Sequence, residues 1–123
     1  MKKRILVLDD NQDILDMVCE VLAYEEYEVL CLSSCHRFFE QLAEWQPDLV
    51  LLDYRLGDGD GRELCRTLKN NPETGHIGVI LFSAYNMPGL DLSDCGCDAV
   101  ISKPFDLSEL VEKIQEVLTG NKV

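Results

Sequence analysis

Four short apolar runs, each stopped by a polar residue, constrain this chain more than any other feature. Ile5-Leu6-Val7-Leu8 meets Asp9-Asp10, and Leu49-Val50-Leu51-Leu52 stops at Asp53. Val79-Ile80-Leu81-Phe82 stops at Ser83, and Ala99-Val100-Ile101-Ser102 leads into Lys103-Pro104. Runs this short, rich in β-branched residues and lacking polar alternation, predict strands buried on both faces of a parallel sheet. In such a sheet the carboxyl ends of the strands share one edge, where open α/β folds place their sites. Three carboxylates, a hydroxyl and an ammonium, remote in sequence, are therefore expected to converge.

Segments with helical periodicity separate the runs. Asn11 can cap a helix with Ile14, Met17, Val18, Val21 and Leu22 on one stripe. A further strand is expected over Tyr27 to Leu32. Ser33 or Ser34 then opens a helix carrying Phe38, Phe39, Leu42 and Ala43, closed before Pro47. A glycine-rich loop at 57–61 precedes a helix with Leu64, Cys65 and Leu68, which ends at Asn70-Asn71-Pro72. Asp106 and Glu109 form an aspartate version of a capping box for a last helix with Leu107, Leu110, Val111, Ile114, Val117 and Leu118. Between them, residues 84–95 contain Pro88-Gly89 and little apolar stripe, so the fourth helix is expected to be short, distorted or missing. Strands alternating with helices over 123 residues, without linker or repeat, predict one doubly wound five-stranded α/β domain spanning residues 1–123.

Charge and cysteine content narrow the function classes. A net charge of −12 argues against a basic nucleic-acid-binding surface and favours protein or small-molecule partners. No apolar stretch approaches the roughly 20 residues of a membrane span. Met1-Lys2-Lys3-Arg4 is basic, but the apolar run behind it is short and meets two aspartates, unlike a signal peptide. A cytoplasmic protein is the expectation, and its six cysteines are then expected as reduced structural thiols. Cys19 and Cys65 sit at helical apolar positions. Cys95-Gly96-Cys97 has no second pair at zinc-site spacing.

Crowded carboxylates repel one another and raise at least one pKa, which a divalent cation relieves. An all-oxygen site with few protein ligands favours Mg²⁺. Asp53, alone at its strand end, suits a nucleophile that attacks a phosphoryl group and forms an acyl phosphate. Lys103 can neutralise charge spread over the phosphoryl oxygens, and Ser83 can donate to them. Each residue also has an ordinary role: acids after strands cap helices, Ser83 suits a turn, and Lys-Pro marks one. Their joint placement at four strand ends is what favours chemistry.

The chain resembles a response-regulator receiver domain of two-component signalling over essentially its whole length. Leu6-Val7-Leu8-Asp9-Asp10, Pro47-Asp48-Leu49-Val50-Leu51-Leu52-Asp53, Asp60-Gly61, Ser83-Ala84 and Lys103-Pro104-Phe105 carry the resemblance. The flavodoxin-like strand order 2-1-3-4-5 is known for receiver proteins and is implied by this resemblance, not by the pattern. So are the roles. Asp53 accepts the phosphoryl group from a phosphohistidine of a sensor histidine kinase or phosphotransfer protein. Asp9, Asp10, Asp53 and the Arg55 backbone carbonyl hold Mg²⁺. Lys103 pairs with the phosphoryl oxygens, Ser83 bonds them, Ala84 leaves room for them, and a cis peptide before Pro104 aims the lysine.

Val100 stands where the family often carries a switching aromatic, and Gly57 where it usually has proline. A rotating ring is thereby replaced, as an expected relay, by rearrangement of the segment Ser83–Cys97. The implied function is a phosphoacceptor switch read by a downstream protein effector or an output domain elsewhere, with self-catalysed phosphoryl transfer and hydrolysis as its only chemistry. A binding-only receiver without phosphate switching is the alternative. An aspartyl phosphatase ranks last, because the second acid such enzymes need two residues after the nucleophile is here Arg55.

Overall fold

The computed structural model describes residues 2–56, 59–83, 95–103 and 105–120. Its elements run β1 (Arg4–Leu8), α1 (Gln12–Tyr24), β2 (Glu28–Leu32), α2 (Phe38–Trp45), β3 (Leu49–Asp53), β4 (Arg55–Leu56), β5 (Gly59–Asp60), α3 (Gly61–Asn70), β6 (Gly78–Ser83), β7 (Ala99–Ser102) and α4 (Leu107–Thr119). The main sheet is parallel throughout, in the order β2-β1-β3-β6-β7. β4 and β5 form a separate antiparallel hairpin of two residues each. Without that hairpin, the order is the 2-1-3-4-5 that the resemblance implies. The segment expected to hold the fourth helix lies outside the described residues, except for Cys95.

The apolar runs become strands because both sheet faces are covered. Alternate residues of one strand serve opposite cores. Leu6, Leu8, Val50, Leu52, Val79 and Leu81 pack with Phe38 and Leu42 of α2 and Cys65 and Leu68 of α3. Ile5, Val7, Leu49, Leu51, Ile80 and Phe82 pack on the other face with Leu15, Val18 and Leu22 of α1 and Leu110 and Ile114 of α4. β1 and β3 lie inside the sheet, and each of Leu6, Leu8, Leu51 and Leu52 has no exposed surface. Each such side chain contributes roughly 1.5–3 kcal/mol of transfer free energy, so these two layers hold the fold.

Burial on both faces does not extend to the edges. β2 is half-buried, and Val100 of the edge strand β7 is 40% exposed. Two helices also depart from expectation. On α1 the buried stripe is Leu15, Val18 and Leu22, whereas Met17 faces solvent. Neither Ser33 nor Ser34 opens α2. They form a bend, and the helix starts at Phe38 behind Arg37, whose left-handed backbone (φ 68°) offers no side-chain cap. Consequently Phe38 and Leu42 are buried while Phe39 and Ala43 are exposed. The other helix starts are side-chain capped, at Asn11 as expected, at Asp60 without having been expected, and at Asp106 through Ser108 rather than by a reciprocal box with Glu109. Asn11 accepts the N–H groups of Asp13 and Ile14, Asp60 that of Arg62, and Asp106 that of Ser108.

The reduced state expected for the cysteines is corrected at one pair. Cys19 of α1 and Cys31 of β2 form a disulfide with Cα atoms 6.8 Å apart. Cys31 pairs in register with Val7 and shares the sheet face that α1 covers. Cys19 is accordingly half-buried and cross-linked rather than a plain core residue. Cys65 is fully buried, as its helical position implies.

Candidate functional site

β1 and β3 are neighbours in register, with Leu8 opposite Leu52, so the next residues, Asp9 and Asp53, emerge side by side. One oxygen from each of Asp9, Asp10 and Asp53 lies within 4.8 Å of the others. Their surroundings differ. Asp9 is wholly buried, Asp53 is 8% exposed and Asp10 is open to solvent. Asp9 has a partner at each oxygen: Oδ1 accepts the Asn11 N–H at 2.9 Å, and Oδ2 accepts from Lys103 Nζ at 3.1 Å. Its own N–H donates to the Leu32 carbonyl at 3.2 Å, which ties the site to the edge strand.

Lys103 follows β7 and reaches back across the sheet edge. Its Nζ lies 3.3 Å from Asp53 Oδ1 and 3.1 Å from Asp9 Oδ2, and so bridges the two buried acids. The ammonium also stands 5.7 Å from the centre of the Phe82 ring. Phe82 in turn stacks on Phe105 with centroids 5.1 Å apart. This aromatic floor limits where the lysine can lie.

One ammonium is shared by two of the three clustered carboxylates, and the imbalance shows at Asp53. Burial raises its pKa first and the Asp9 charge raises it further. The Lys103 charge and hydrogen bond and the Arg55 backbone N–H oppose them, leaving Asp53 at about 6. A group so placed gains from any cation that displaces its proton. The fit to a hard dication is therefore chemical as well as geometric: three oxygen donors, no nitrogen or sulfur, and excess negative charge. Receiver domains typically bind Mg²⁺ at an acidic pocket of this kind.

The loop behind Asp53 is held from its backbone. Tyr54 N–H donates to the Phe82 carbonyl at 2.8 Å, and Gly61 N–H to the Tyr54 carbonyl at 2.9 Å. A Cβ at Gly61 would stand 2.1 Å from the Asp53 carbonyl oxygen, so only glycine lets α3 start this close to the acid.

Of the residues expected at the site, the structure brings together Asp9, Asp10, Asp53 and Lys103, with the Arg55 N–H on Asp53. Ser83 closes β6 in register with Ser102. Its side chain, together with Ala84 and Pro104, lies outside the described residues. Gly61, Phe82 and Phe105 were absent from the expected site. Two of them had a visible signal: Gly61 sits directly behind the acid of Asp60-Gly61, and Phe105 follows Lys103-Pro104.

The sheet order is that of a receiver domain, and known proteins agree on the fold. The family model for the response regulator receiver domain matches residues 5–115, and the chain belongs to that family. It is 30% identical over 120 residues to the polar-differentiation response regulator DivK of Brucella ovis, covering 96% of this chain and 98% of DivK. It is 35% identical over 123 residues to the phosphate regulon transcriptional regulatory protein PhoB of Klebsiella pneumoniae, covering 96% of this chain but 52% of PhoB. A CheY-like receiver domain from Methanospirillum hungatei JF-1 superposes with a TM-score of 0.88 at 31% identity, covering 98% of this chain and 96% of that one. The chain is thus a two-component signalling receiver. Among the described residues no helix is long and apolar enough to cross a membrane.

Proposed function

We propose that this receiver is a working phosphoacceptor switch in which Asp53 takes the phosphoryl group from a phosphohistidine of a sensor histidine kinase or phosphotransfer protein. The observation that carries this reading is the convergence of three carboxylates, two of which, Asp9 and the nucleophile Asp53, are bridged by Lys103. In the transfer, an Asp53 carboxylate oxygen forms a bond to phosphorus as the phosphorus–nitrogen bond breaks, and the electron pair returns to the imidazole. Lys103, already bridging Asp9 and Asp53, neutralises charge on the phosphoryl oxygens, and the Phe82 floor holds it for that task. Asp9, Asp10, Asp53 and the Arg55 carbonyl are the groups that would hold Mg²⁺. When bound, the ion lowers the repulsion between carboxylate and incoming phosphoryl group.

By the family resemblance, Ser83 supplies the hydroxyl that engages the phosphoryl group, Ala84 the space for it, and Pro104 the aim of the lysine. Residues 1–123 act in this reading as one receiver unit, read by a downstream protein in the cytoplasm. Hydrolysis of the aspartyl phosphate is self-catalysed and resets the switch.

The test is the intact mass of the protein after incubation with acetyl phosphate. One phosphoryl group is expected with Mg²⁺, almost none with chelator, and none in Asp53→Asn. Equal modification of that variant would move the nucleophile elsewhere. Unmodified wild-type protein under all conditions would favour the binding-only module.

A further inference from the structure

We propose that Cys19 and Cys31 are a reversible thiol–disulfide site that clamps α1 to the edge strand β2, independent of phosphorylation at Asp53. The two residues meet across the α1-covered face of the sheet, with Cα atoms 6.8 Å apart, inside the range disulfides adopt. Both are half-buried, so a small attacking thiol has access. Among the described residues β2 pairs only with β1, and the cross-link fastens this outer strand to the helix above it. The clamp borders the acid edge: β2 ends at Leu32, the residue after Cys31, whose carbonyl accepts the Asp9 N–H.

Three of the four remaining thiols are poor competitors for oxidation, and Cys35, which is half-buried, is the one that peptide mapping must distinguish. Cys65 and Cys95 are buried, and the Cys65 thiol donates to the Cys95 carbonyl at 3.5 Å. Burial and its thiol neighbours push the Cys65 pKa far up, and Cys97 is pushed up to about 12, chiefly by burial and then by Cys95. Thiols held protonated in this way are poor nucleophiles.

The oxidant class is a small disulfide such as oxidised glutathione. One thiolate of the pair attacks a glutathione sulfur, the glutathione S–S bond breaks, and a mixed disulfide forms as one glutathione leaves. The second cysteine attacks the protein-bound sulfur, forming the Cys19–Cys31 bond and releasing the second glutathione. The protein loses two electrons and two protons, and the glutathione pair gains both.

The test equilibrates reduced protein in glutathione buffers of increasing oxidised fraction, quenches with acid, denatures, alkylates and measures intact mass with peptide mapping. Six alkylated thiols are expected under reducing conditions and four (Cys35, Cys65, Cys95 and Cys97) in the oxidised form. The lost pair should map to Cys19–Cys31. Closing a loop of sequence separation 12 should raise the melting temperature by on the order of 10 °C relative to the reduced form. Cys31→Val, which keeps a strand-compatible side chain, should lose both the pairing and the shift, and so should Cys19→Ser, which decides the matter if Cys31→Val folds poorly. Retention of six thiols across the series, a pair mapped elsewhere, or a persistent glutathione adduct would each overturn the proposal.

Discussion

The two ends of the sheet hold similar residues and put them to opposite uses. At the amino-terminal end of the strands, Lys69 Nζ donates to Asp98 Oδ2 at 2.9 Å and to the Ile77 carbonyl at 2.7 Å. Asp98 Oδ2 also accepts the Val79 N–H at 2.8 Å. Here an acid is matched by a base, and this largely buried pair links α3 to the start of β6. At the carboxyl end, Lys103 is shared by Asp9 and Asp53, with Asp10 close by and, among the described residues, no second ammonium paired with them. A balanced pair is structural, whereas an unbalanced cluster stores repulsion that a cation or a phosphoryl group can release. Excess charge, more than burial, separates the site from the scaffold.

The largest expected effect falls on the balanced end. Lys69→Met keeps the apolar stem and removes the charge, leaving the largely buried Asp98 carboxylate without its ammonium partner. Urea denaturation should show a loss of about 3 kcal/mol, the usual consequence of breaking one side of a buried pair. A loss below about 1 kcal/mol would mean that this end is as tolerant as a surface pair, and the contrast between the ends would fail.

At the other end the sign reverses. With metal removed by chelator, Asp53→Asn should stabilise the protein at neutral pH, by roughly 2 kcal/mol. The folded-state pKa of Asp53 stands at about 6, above the ordinary value of 3.8, so the folded protein binds the extra proton between those values. Wild-type stability should therefore fall as pH rises from about 4 to about 6 and level off above. The advantage of Asp53→Asn should grow through the same window and shrink when Mg²⁺ is added. Urea midpoints at a series of pH values, with and without Mg²⁺, measure it. A pH-independent difference would show that Asp53 is not crowded.

How much of this was legible follows the range of each interaction. The strand ends were readable because an apolar run and the acid after it are adjacent in sequence. That places Asp9, Asp53 and Lys103 correctly. The inequality of Asp9 and Asp10 was not readable, since two identical neighbours differ only in that one turns inward beneath Lys103. The Lys69–Asp98 pair spans 29 residues and joins two segments with no shared pattern. Cys19 and Cys31 meet only once the parallel register sets Cys31 under α1. The late start of α2 escaped for a local reason: Arg37 takes a left-handed turn that its sequence does not advertise, and it offers the helix no side-chain cap.

The smallest expected effect tests whether pairing alone matters. Lys113 and Glu116 on α4 approach to 3.6 Å with side chains 41% and 51% exposed, so solvent screens their attraction. Glu116 also lies close to the carboxyl end of a helix whose last turn carries no basic residue, and its charge there opposes the helix dipole. The Gly120 N–H and the Thr119 hydroxyl bond the Glu116 backbone carbonyl, so Glu116→Gln leaves both contacts in place. Removing the charge thus loses a weak attraction and a weak repulsion together. Urea midpoints should move by less than about 0.5 kcal/mol in either direction. A loss near that of Lys69→Met would mean that ion pairs stabilise this protein regardless of burial, and the division between a balanced scaffold and an unbalanced site would need another basis.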